Sequence, residues 1–596
     1  MKNWFASQKG TFTAVAAGKL LLLILTPVTS FYLMQLIYGS ASLRYPLYAV
    51  LGNGLCIGAF YYLFCAVTGH LAFGSLLTHI LAGILGAANY FVAAFRGNPV
   101  LPWDFKAIGT ALAVSGTYSY RPTWGMTAAA ALLAAAAWVI FKKRGLGLFK
   151  VRRRWPRVVI LAAGLFCIWP IAQPDVLAEM GITTDVWDQA KAYRENGIIA
   201  SFLCNTQFME VEVPQGYSAA REEELLERAG QRAAKPESAG AFQGEKPHII
   251  AIMNESWADF EEFGNLDLNQ GAMDYIHSLD GVHGYAYTSV FGAGTSASEF
   301  EFLTGNSMAF LPSGSIPYQQ YILEPSPSLA SLLREEGYRT LAIHPGERSS
   351  WQRDKAYPLL GFEKFICEDD MDVELTENHG YISDDSSFAQ VIREFEEREP
   401  GERLFIFNVT IQNHGSYTDP SFPTSVRLTD QPGEYPKAEQ YLSLVKETDQ
   451  AFQGLIEYFE RQEEPVVIVM FGDHQPAVEQ EFLDKAYGVK QEDMSMGQYM
   501  DKFRVPFVIW SNRGLEGREP EITSLNFLAQ YVLRYAGIQA DAYGDYLWGL
   551  ASQIPALTFA GYVDAQGEAH SHLETNEYQG LIEEYQIVQY GRLFGE

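Results

Sequence analysis

The sequence predicts a polytopic α-helical membrane domain followed by an α/β domain with a mainly parallel central sheet. Three observations carry this. Five apolar segments crowd the first third of the 596 residues. A charged, Ala/Gly-rich stretch follows them. From Lys246 onward, apolar β-type runs alternate with helical patterns. The expected divisions are a five-span membrane domain at 1–172, a partly helical linker at 173–245 and an outer domain at 246–596.

The apolar segments are Leu20–Tyr38, Leu47–Thr68, Leu71–Phe95, Trp124–Phe141 and about Val158–Ala172. Each is near the length needed to cross a bilayer, although the last is short and carries Pro170. One such run suits a buried core helix; five in succession with short loops point to a membrane. Spans that continue past the first disfavour a cleavable signal peptide. The loop KKRGLGLFKVRRRWPR holds Lys142, Lys143, Arg144, Lys150, Arg152, Arg153, Arg154 and Arg157, and so basic a short loop belongs in the cytoplasm. Lys2, Lys9 and Lys19 place the N-terminus there too, and four crossings satisfy the parity. The fifth span then delivers everything after about Ala172 to the outside, giving a multi-pass cell-membrane protein with an extracellular domain. The outer loop RGNPVLPWDFKAIGTALAVSG reads either as interfacial or as an ordinary loop.

Composition narrows the partners. Lys+Arg number 43 against 71 Asp+Glu, a formal charge of −28 that disfavours nucleic acid. The mean hydropathy of −0.06 blends an apolar first third with a polar remainder. Five cysteines, Cys56, Cys65, Cys167, Cys204 and Cys367, show no CxxC or His-spaced pattern, so neither a disulfide framework nor a structural zinc site is indicated. In the connection, VWDQAKAYRENGIIASFLC reads as helical and REEELLERAGQRAAKPESAGAFQGE as an exposed linker. Within the latter, Ala239-Gly-Ala241 resembles a signal-peptidase site.

In the outer domain HIIAIMN, GYAYTSVF, YRTLAIHP, RLFIFNVTIQ, PVVIVMFG and VPFVIWS read as strands. SLASLLREEG, SSFAQVIREFEE, KAEQYLSLVKETDQAFQGLIEYFERQ and TSLNFLAQYVLRYAG read as helices. Near-continuous apolar strands with intervening helices indicate a sheet covered on both faces. Ligands of such folds sit at the carboxyl ends of the strands. Glu255, His344, His414, Asp473 and His474 all fall there.

The organising stretch is FGAGTSASEFEFLTGNS, 291–307. Gly292 and Gly294 permit a sharp turn, and Ser296-x-x-Glu299 reads as a capping box opening a helix. Thr295 is then exposed beside unpaired helix N–H groups, a setting suited to phosphate. A bare threonine hydroxyl needs a metal or a base to become a nucleophile; the alternative role is a helix cap. Glu255 reads as a ligand or a helix-start acid, and Asp473-His474 as a ligand pair or a turn. A charged pair directly after VVIVMF is costly if buried without a partner. Two carboxylates, an imidazole and a threonine oxygen suit one divalent ion, Mn2+ first, with Mg2+ or Zn2+ as alternatives. His414 would sit beyond the ion as proton donor or substrate ligand. His344, Trp351 and Arg353 offer an imidazole, an aromatic wall and a guanidinium, apt for a phosphate on a small polyol; for Trp351 and Arg353 the alternative is a surface loop.

NESW, GTSASEFEFLTG, HPGERSSWQRD, NVTIQNHGSY and FGDHQP, in that order after five spans, resemble the lipoteichoic acid synthase family, within the sulfatase/alkaline phosphatase superfamily. The resemblance extends to FRGNPVLPWD and YQIVQYGRLFG. It implies an extracellular sulfatase-like catalytic domain in which Glu255, Thr295, Asp473 and His474 hold one Mn2+-like ion. It further implies that Thr295 is the nucleophile and that His344, Trp351, Arg353 and His414 line the substrate site. The implied reaction moves glycerol phosphate from phosphatidylglycerol, through a threonine intermediate, onto a polyglycerolphosphate chain or glycolipid acceptor. The cysteine-x-proline-x-arginine pattern of true sulfatases is absent around Thr295, which argues against sulfate ester hydrolysis. Two other readings are carried alongside: phosphoglycerol or phosphoethanolamine transfer to another envelope glycan or lipid, and a non-catalytic envelope polymer-binding protein.

Overall fold

The computed structural model describes residues 2–39, 44–96, 99–107, 121–142, 154–171, 174–182, 189–206, 211–232, 242, 244–515 and 522–595. The chain divides into two compact units, one of residues 1–105 and 119–211, the other of 106–118 and 212–596.

The first unit is built on α1 (Lys2–Tyr38), α2 (Leu47–Thr68), α3 (Leu71–Arg96), α4 (Trp124–Lys142) and α5 (Arg154–Ile171). Among the described residues, four helical stretches are long and apolar enough to cross a membrane: Gly18–Tyr38, Leu47–Thr68, Leu71–Ala94 and Trp124–Lys142. In α5, where the sequence predicts a fifth span, the apolar run Trp155–Phe166 is shorter than these. Helices suit a bilayer because they satisfy every backbone group internally. Large apolar side chains such as Leu20, Ile24, Leu132 and Phe141 are exposed, as surfaces facing lipid tails require. Glycine lets the helices approach: a Cβ at Gly86 of α3 would meet the Met34 carbonyl oxygen of α1 at 2.6 Å. The chain beyond α5 folds back into this unit. Asn53 Oδ1 accepts the N–H groups of Ile199 and Ala200 at 3.1 and 3.0 Å, and Gln35 Oε1 accepts that of Ile198 at 3.1 Å. The loop after α3 joins them: Leu101 and Trp103 are buried against Phe31, Met34 and Tyr193. The stretch after it, from 108 to 120, and Ala239-Gly-Ala241 lie outside the described residues.

The second unit opens with a correction. REEELLERAGQR, read as exposed linker, lies in helix α6 (Ala219–Arg232), with Leu225 buried. Arg221 and Arg228 bind the two oxygens of Glu584 at 3.0 and 2.5 Å. Its apolar positions share one helical face, which packing can use although the average composition is polar.

An eight-stranded sheet organises the unit. Its strands are β1 (His248–Asn254), β2 (Val282–Tyr287), β3 (Tyr338–His344), β4 (Lys364–Cys367), β5 (Arg403–Val409), β6 (Val466–Gly472), β7 (Arg504–Ser511) and β8 (Ile522–Ser524), in the spatial order β8-β2-β7-β6-β1-β5-β3-β4. Only β7 runs antiparallel to its neighbours, β2 and β6. The central strands β1 and β6 are buried at every residue, which explains their unbroken apolar runs. In register, Ala251 lies between Phe407 and Val469. Even-numbered Ile250, Ile252, Ile406 and Ile468 face one layer, where α8 (Asp384–Glu396) and α9 (Pro436–Phe459) contribute Phe388, Phe395, Phe452 and Leu455. Odd-numbered Phe407 and Phe471 face the other, where Phe302 of α7 (Thr295–Thr304) packs at 5.8 and 4.5 Å. The parallel order β6-β1-β5-β3 puts four strand ends side by side. The short β4 and β8 escape the sequence pattern, and β2 ends at Tyr287 where GYAYTSVF suggested a longer strand.

Candidate active site

Each strand end delivers one group: Glu255 after β1, His414 in the loop after β5, Asp473-His474 after β6, and His344 closing β3. Thr295 comes from the opposite layer as the first residue of α7. Gly294 precedes it at φ 108, where a Cβ would press on Val290 at 3.0 Å, so glycine is required on both counts. The expected capping box does not form. Gly294 is the N-cap and no side chain caps the helix. Ser298 Oγ donates instead to the Asp473 carbonyl at 2.6 Å. Glu299 turns into the interior, where Oε1 accepts Arg353 Nε and Nη2 at 3.0 and 2.6 Å and Oε2 accepts the Tyr318 and Tyr357 hydroxyls at 3.1 and 2.6 Å. A buried ion pair with four donors outweighs one exposed cap.

At the centre, one oxygen or nitrogen each of Glu255, Asp473 and His474 lie within 4.8 Å of one another, all buried. Thr295 Oγ1 is 3.4 Å from Glu255 Oε2. Asp473 Oδ1 accepts the N–H groups of Ser256 and His474, both at 2.7 Å. Its Oδ2 is buried with no hydrogen-bond partner among the described residues. His474 Nδ1 faces the Gln475 carbonyl at 3.0 Å; that oxygen can only accept, so Nδ1 carries the hydrogen. Nε2 then faces Asp473 Oδ2 at 3.3 Å and Glu255 Oε1 at 3.9 Å. Glu255 Oε1 accepts the Ser256 hydroxyl at 2.9 Å, so Asp473 Oδ2 is the cluster atom left without a donor among the described residues. Burial, and next the Asp473 charge, push the Glu255 carboxyl well above its ordinary range. Such a donor set is costly as it stands and fits a divalent cation, with the second imidazole nitrogen fixed as metal-ligating histidines require. A second group, Asp564, Glu568 and His570, contrasts with it. There Asp564 is satisfied by the N–H groups of Gln566 and Glu568 and by His570, each at 2.9 Å.

The remaining residues surround this centre unequally. His344 is buried, its Nδ1 2.9 Å from the Val409 carbonyl. Burial first, and the Arg353 charge second, hold it well below the usual imidazole range, so it is neutral with Nε2 as acceptor. Arg353 is only 1% exposed, and its charge is felt at both Glu255 and His344. Trp351 is half-buried and joined to the cluster by no hydrogen bond among the described residues. It and Gln352 stand at φ 57 and 63, two consecutive residues in the left-handed region. His414 Nδ1 lies 2.8 Å from the Gly415 carbonyl and 3.0 Å from the Tyr381 hydroxyl, and burial lowers its pKa.

Sequence reasoning missed Glu299, Tyr318, Tyr357 and Tyr381, and a network under the site. There Asp384 Oδ2 accepts Asn254 Nδ2 at 2.8 Å and Thr448 Oγ1 at 2.6 Å, and Asn413 Nδ2 donates to Asn254 Oδ1 at 2.9 Å. Asn254 and Asn413 stand next to Glu255 and His414, and that adjacency was the available signal.

The Sulfatase family model matches residues 247–538. A putative cyclic beta-1,2-glucan modification protein of Rhizobium meliloti (strain 1021) is 30% identical over 479 residues, 78% of this chain and 72% of its own length. The lipoteichoic acid synthase of Staphylococcus saprophyticus is 25% identical over 316 residues, 49% of this chain and 46% of the relative. Among solved structures, Streptococcus pyogenes phosphoglycerol transferase GacH in complex with sn-glycerol-1-phosphate matches with a TM-score of 0.53 at 18% identity, covering 65% of this chain and 96% of that one. That likeness establishes the shared fold.

Proposed function

This chain belongs to the sulfatase family, and from that premise we infer that it is a membrane-anchored, metal-dependent phosphoglycerol transferase. One observation carries the reading: a threonine hydroxyl at a helix N-terminus, 3.4 Å from a carboxylate in a buried Glu255–Asp473–His474 cluster whose Asp473 Oδ2 has no hydrogen-bond partner among the described residues. A non-catalytic polymer binder has no use for that arrangement.

In the proposed reaction Thr295 Oγ forms a bond to the phosphorus of phosphatidylglycerol. The bond from phosphorus to the diacylglycerol oxygen breaks, and the threonine proton ends on that oxygen. Diacylglycerol leaves, and glycerophosphoryl-threonine remains. An acceptor hydroxyl then attacks the same phosphorus and Thr295 recovers its proton. Glu255, Asp473, His474 and Thr295 would hold one divalent ion, Mn2+ by the hardness of the donor set, which when bound lowers the threonine pKa and neutralises phosphoryl charge. The first N–H groups of α7 and the Arg353 guanidinium stabilise the equatorial oxygens. His414, neutral with Nδ1 tied to Gly415, takes the acceptor proton at Nε2. His344 and Trp351 line the glycerol pocket in this reading.

Two acceptors are weighed. The motifs resemble lipoteichoic acid synthases, which suggests a growing polyglycerolphosphate chain. The relative matched over most of both chains is named for glucan modification, which favours an envelope glycan. The active domain would be extracellular, as the basic loop between α4 and α5 suggests.

The test uses full-length protein in vesicles with Mn2+ and labelled phosphatidylglycerol or phosphatidylethanolamine. Diacylglycerol should be released from phosphatidylglycerol, stop on chelation, and fall by at least roughly 10^3-fold in Thr295→Ala. Undiminished release in that variant would overturn the mechanism. Release from phosphatidylethanolamine alone would make it a phosphoethanolamine transferase.

A further inference from the structure

A cavity of about 400 Å3 opens among α1, α3 and α4, within the stretches long and apolar enough to span a membrane. Most of its wall is apolar, including Leu33, Leu76, Leu133 and Ala136. One side is not. Thr29, Ser75 and His79 border the same space, with Ser75 and His79 half-buried and Thr29 exposed. A histidine within a membrane span is costly and marks a functional site by default.

The hydrogen-bond roles on this side are fixed. His79 Nδ1 lies 2.8 Å from the Ser75 carbonyl, which can only accept, so Nδ1 carries the hydrogen and Nε2 the lone pair. Nε2 lies 2.9 Å from Thr29 Oγ1. The Thr29 hydroxyl has one proton but three acceptors in reach, since the carbonyls of Leu25 and Thr26 lie at 2.8 and 3.2 Å. Ser75 Oγ accepts from Thr26 Oγ1 at 3.0 Å, which leaves its own proton for another acceptor. The wall therefore offers an imidazole acceptor beside one hydroxyl donor, Ser75. A ligand that matches it has one hydroxyl and a nearby carbonyl oxygen on an apolar body.

Depth selects among lipids of that kind. At 1.5 Å per residue, Ser75 and His79 stand roughly 6 and 12 Å into the span that begins at Leu71. A charged headgroup cannot follow its glycerol to that depth, because burying an unpaired charge in hydrocarbon is prohibitive. A neutral lipid with a bare glycerol hydroxyl can. We propose that this cavity is a binding site for diacylglycerol, with its hydroxyl on His79 Nε2, an ester carbonyl toward the Ser75 hydroxyl, and the start of one chain along Leu33, Leu133 and Ala136. The cavity is smaller than the whole lipid, so the chain ends stay in the bilayer. The site stands on the membrane unit alone.

The experiment uses full-length Thr295→Ala protein, which makes no diacylglycerol of its own, in phosphatidylcholine vesicles. A diacylglycerol carrying a photoreactive group near the glycerol is compared with the matching phosphatidylcholine probe, and labelled residues are mapped by mass spectrometry. Diacylglycerol should label the cavity wall around Leu133 and Ala136, and an excess of unlabelled diacylglycerol should remove that label. Exposed positions such as Leu51 and Leu63 should be labelled by both probes without competition. His79→Leu should lose most of the competable label, and Ala136→Trp, which fills the cavity, should lose it all. Should Ala136→Trp fail to fold, His79→Leu and the competition decide the matter. Equal, non-competable labelling by both probes would mean ordinary lipid contact and overturn the proposal. Because no turnover is involved, a wrong reading of the outer-domain reaction cannot produce that result.

Discussion

His474 shows how much of the site is settled by single atoms. Its Nδ1 is committed to a backbone carbonyl at 3.0 Å, which leaves Nε2 to face two carboxylates. His414 is tied in the same manner, with the Tyr381 hydroxyl as an additional contact at 3.0 Å. Tyr381 is a positioning residue: it touches His414, which faces the centre. Tyr381→Phe should lower kcat about tenfold, the order seen when a partner orienting an active-site imidazole is removed, and shift the limb of the pH–rate profile that reports His414. KM for the donor lipid should hold. An unchanged rate and profile would make the contact merely structural. At this scale the sequence was informative where a chemical residue ended an apolar run, as with Glu255 and Asp473-His474. It was silent where the partner lay far along the chain, because Glu299 pairing with Arg353, or Tyr381 with His414, is a product of folding. Glu299 was even legible in the wrong sense, since capping-box spacing looks the same whether the side chain turns back to the helix end or into the interior.

Helix α7 does more than present Thr295. One turn on, Glu299 fixes Arg353, and two residues later Glu301 is buried with Oε1 accepting Ser289 Oγ at 2.7 Å and the Met308 N–H at 2.9 Å. Burial raises the Glu301 pKa from 4.5 to about 7. Because the folded-state value is the higher one, the protonated group favours folding below pH 4.5, and that contribution is lost as pH rises through about 7. The stability of Glu301→Gln relative to wild type should therefore improve by up to about 3 kcal/mol between pH 5 and pH 8. Thermal unfolding of both proteins at the two pH values measures this, and a pH-independent difference would contradict it. The segment after α7 depends on the C-terminal helix α10 (Gln579–Phe594). Gln589 accepts the Ser307 N–H at 2.6 Å and donates to the Ser307 carbonyl at 2.9 Å, and Tyr585 donates to the Gly305 carbonyl at 2.6 Å. Gln589→Ala would leave two buried backbone groups unpaired and should cost about 2–4 kcal/mol, read in the same unfolding experiment. A loss too small to measure would show that water takes over both bonds. The long strands and α9 were legible from apolar period, whereas β4, β8 and the amphipathic α6 were too short or too charged on average to register.

Over the whole molecule, the order of membrane helices and then a mostly parallel α/β unit followed from hydropathy and alternation alone. What the sequence could not convey is that the chain just past α5 is built back into the membrane unit through Gln35 and Asn53, since neither residue is unusual in its own span. Nor could it reveal the cavity beside His79, which exists only once three helices pack. The membrane unit and the sulfatase-like domain are joined in function by one expectation: a lipid donor loses its headgroup to Thr295. The most direct test incubates the full-length protein with Mn2+ and glycerol-labelled phosphatidylglycerol in vesicles without acceptor, quenches in acid and maps the label by mass spectrometry. Glycerophosphate is expected on the peptide carrying Thr295, and none in Thr295→Ala. Diacylglycerol release with no adduct on Thr295, under conditions where the intermediate has no acceptor to discharge it, would contradict it.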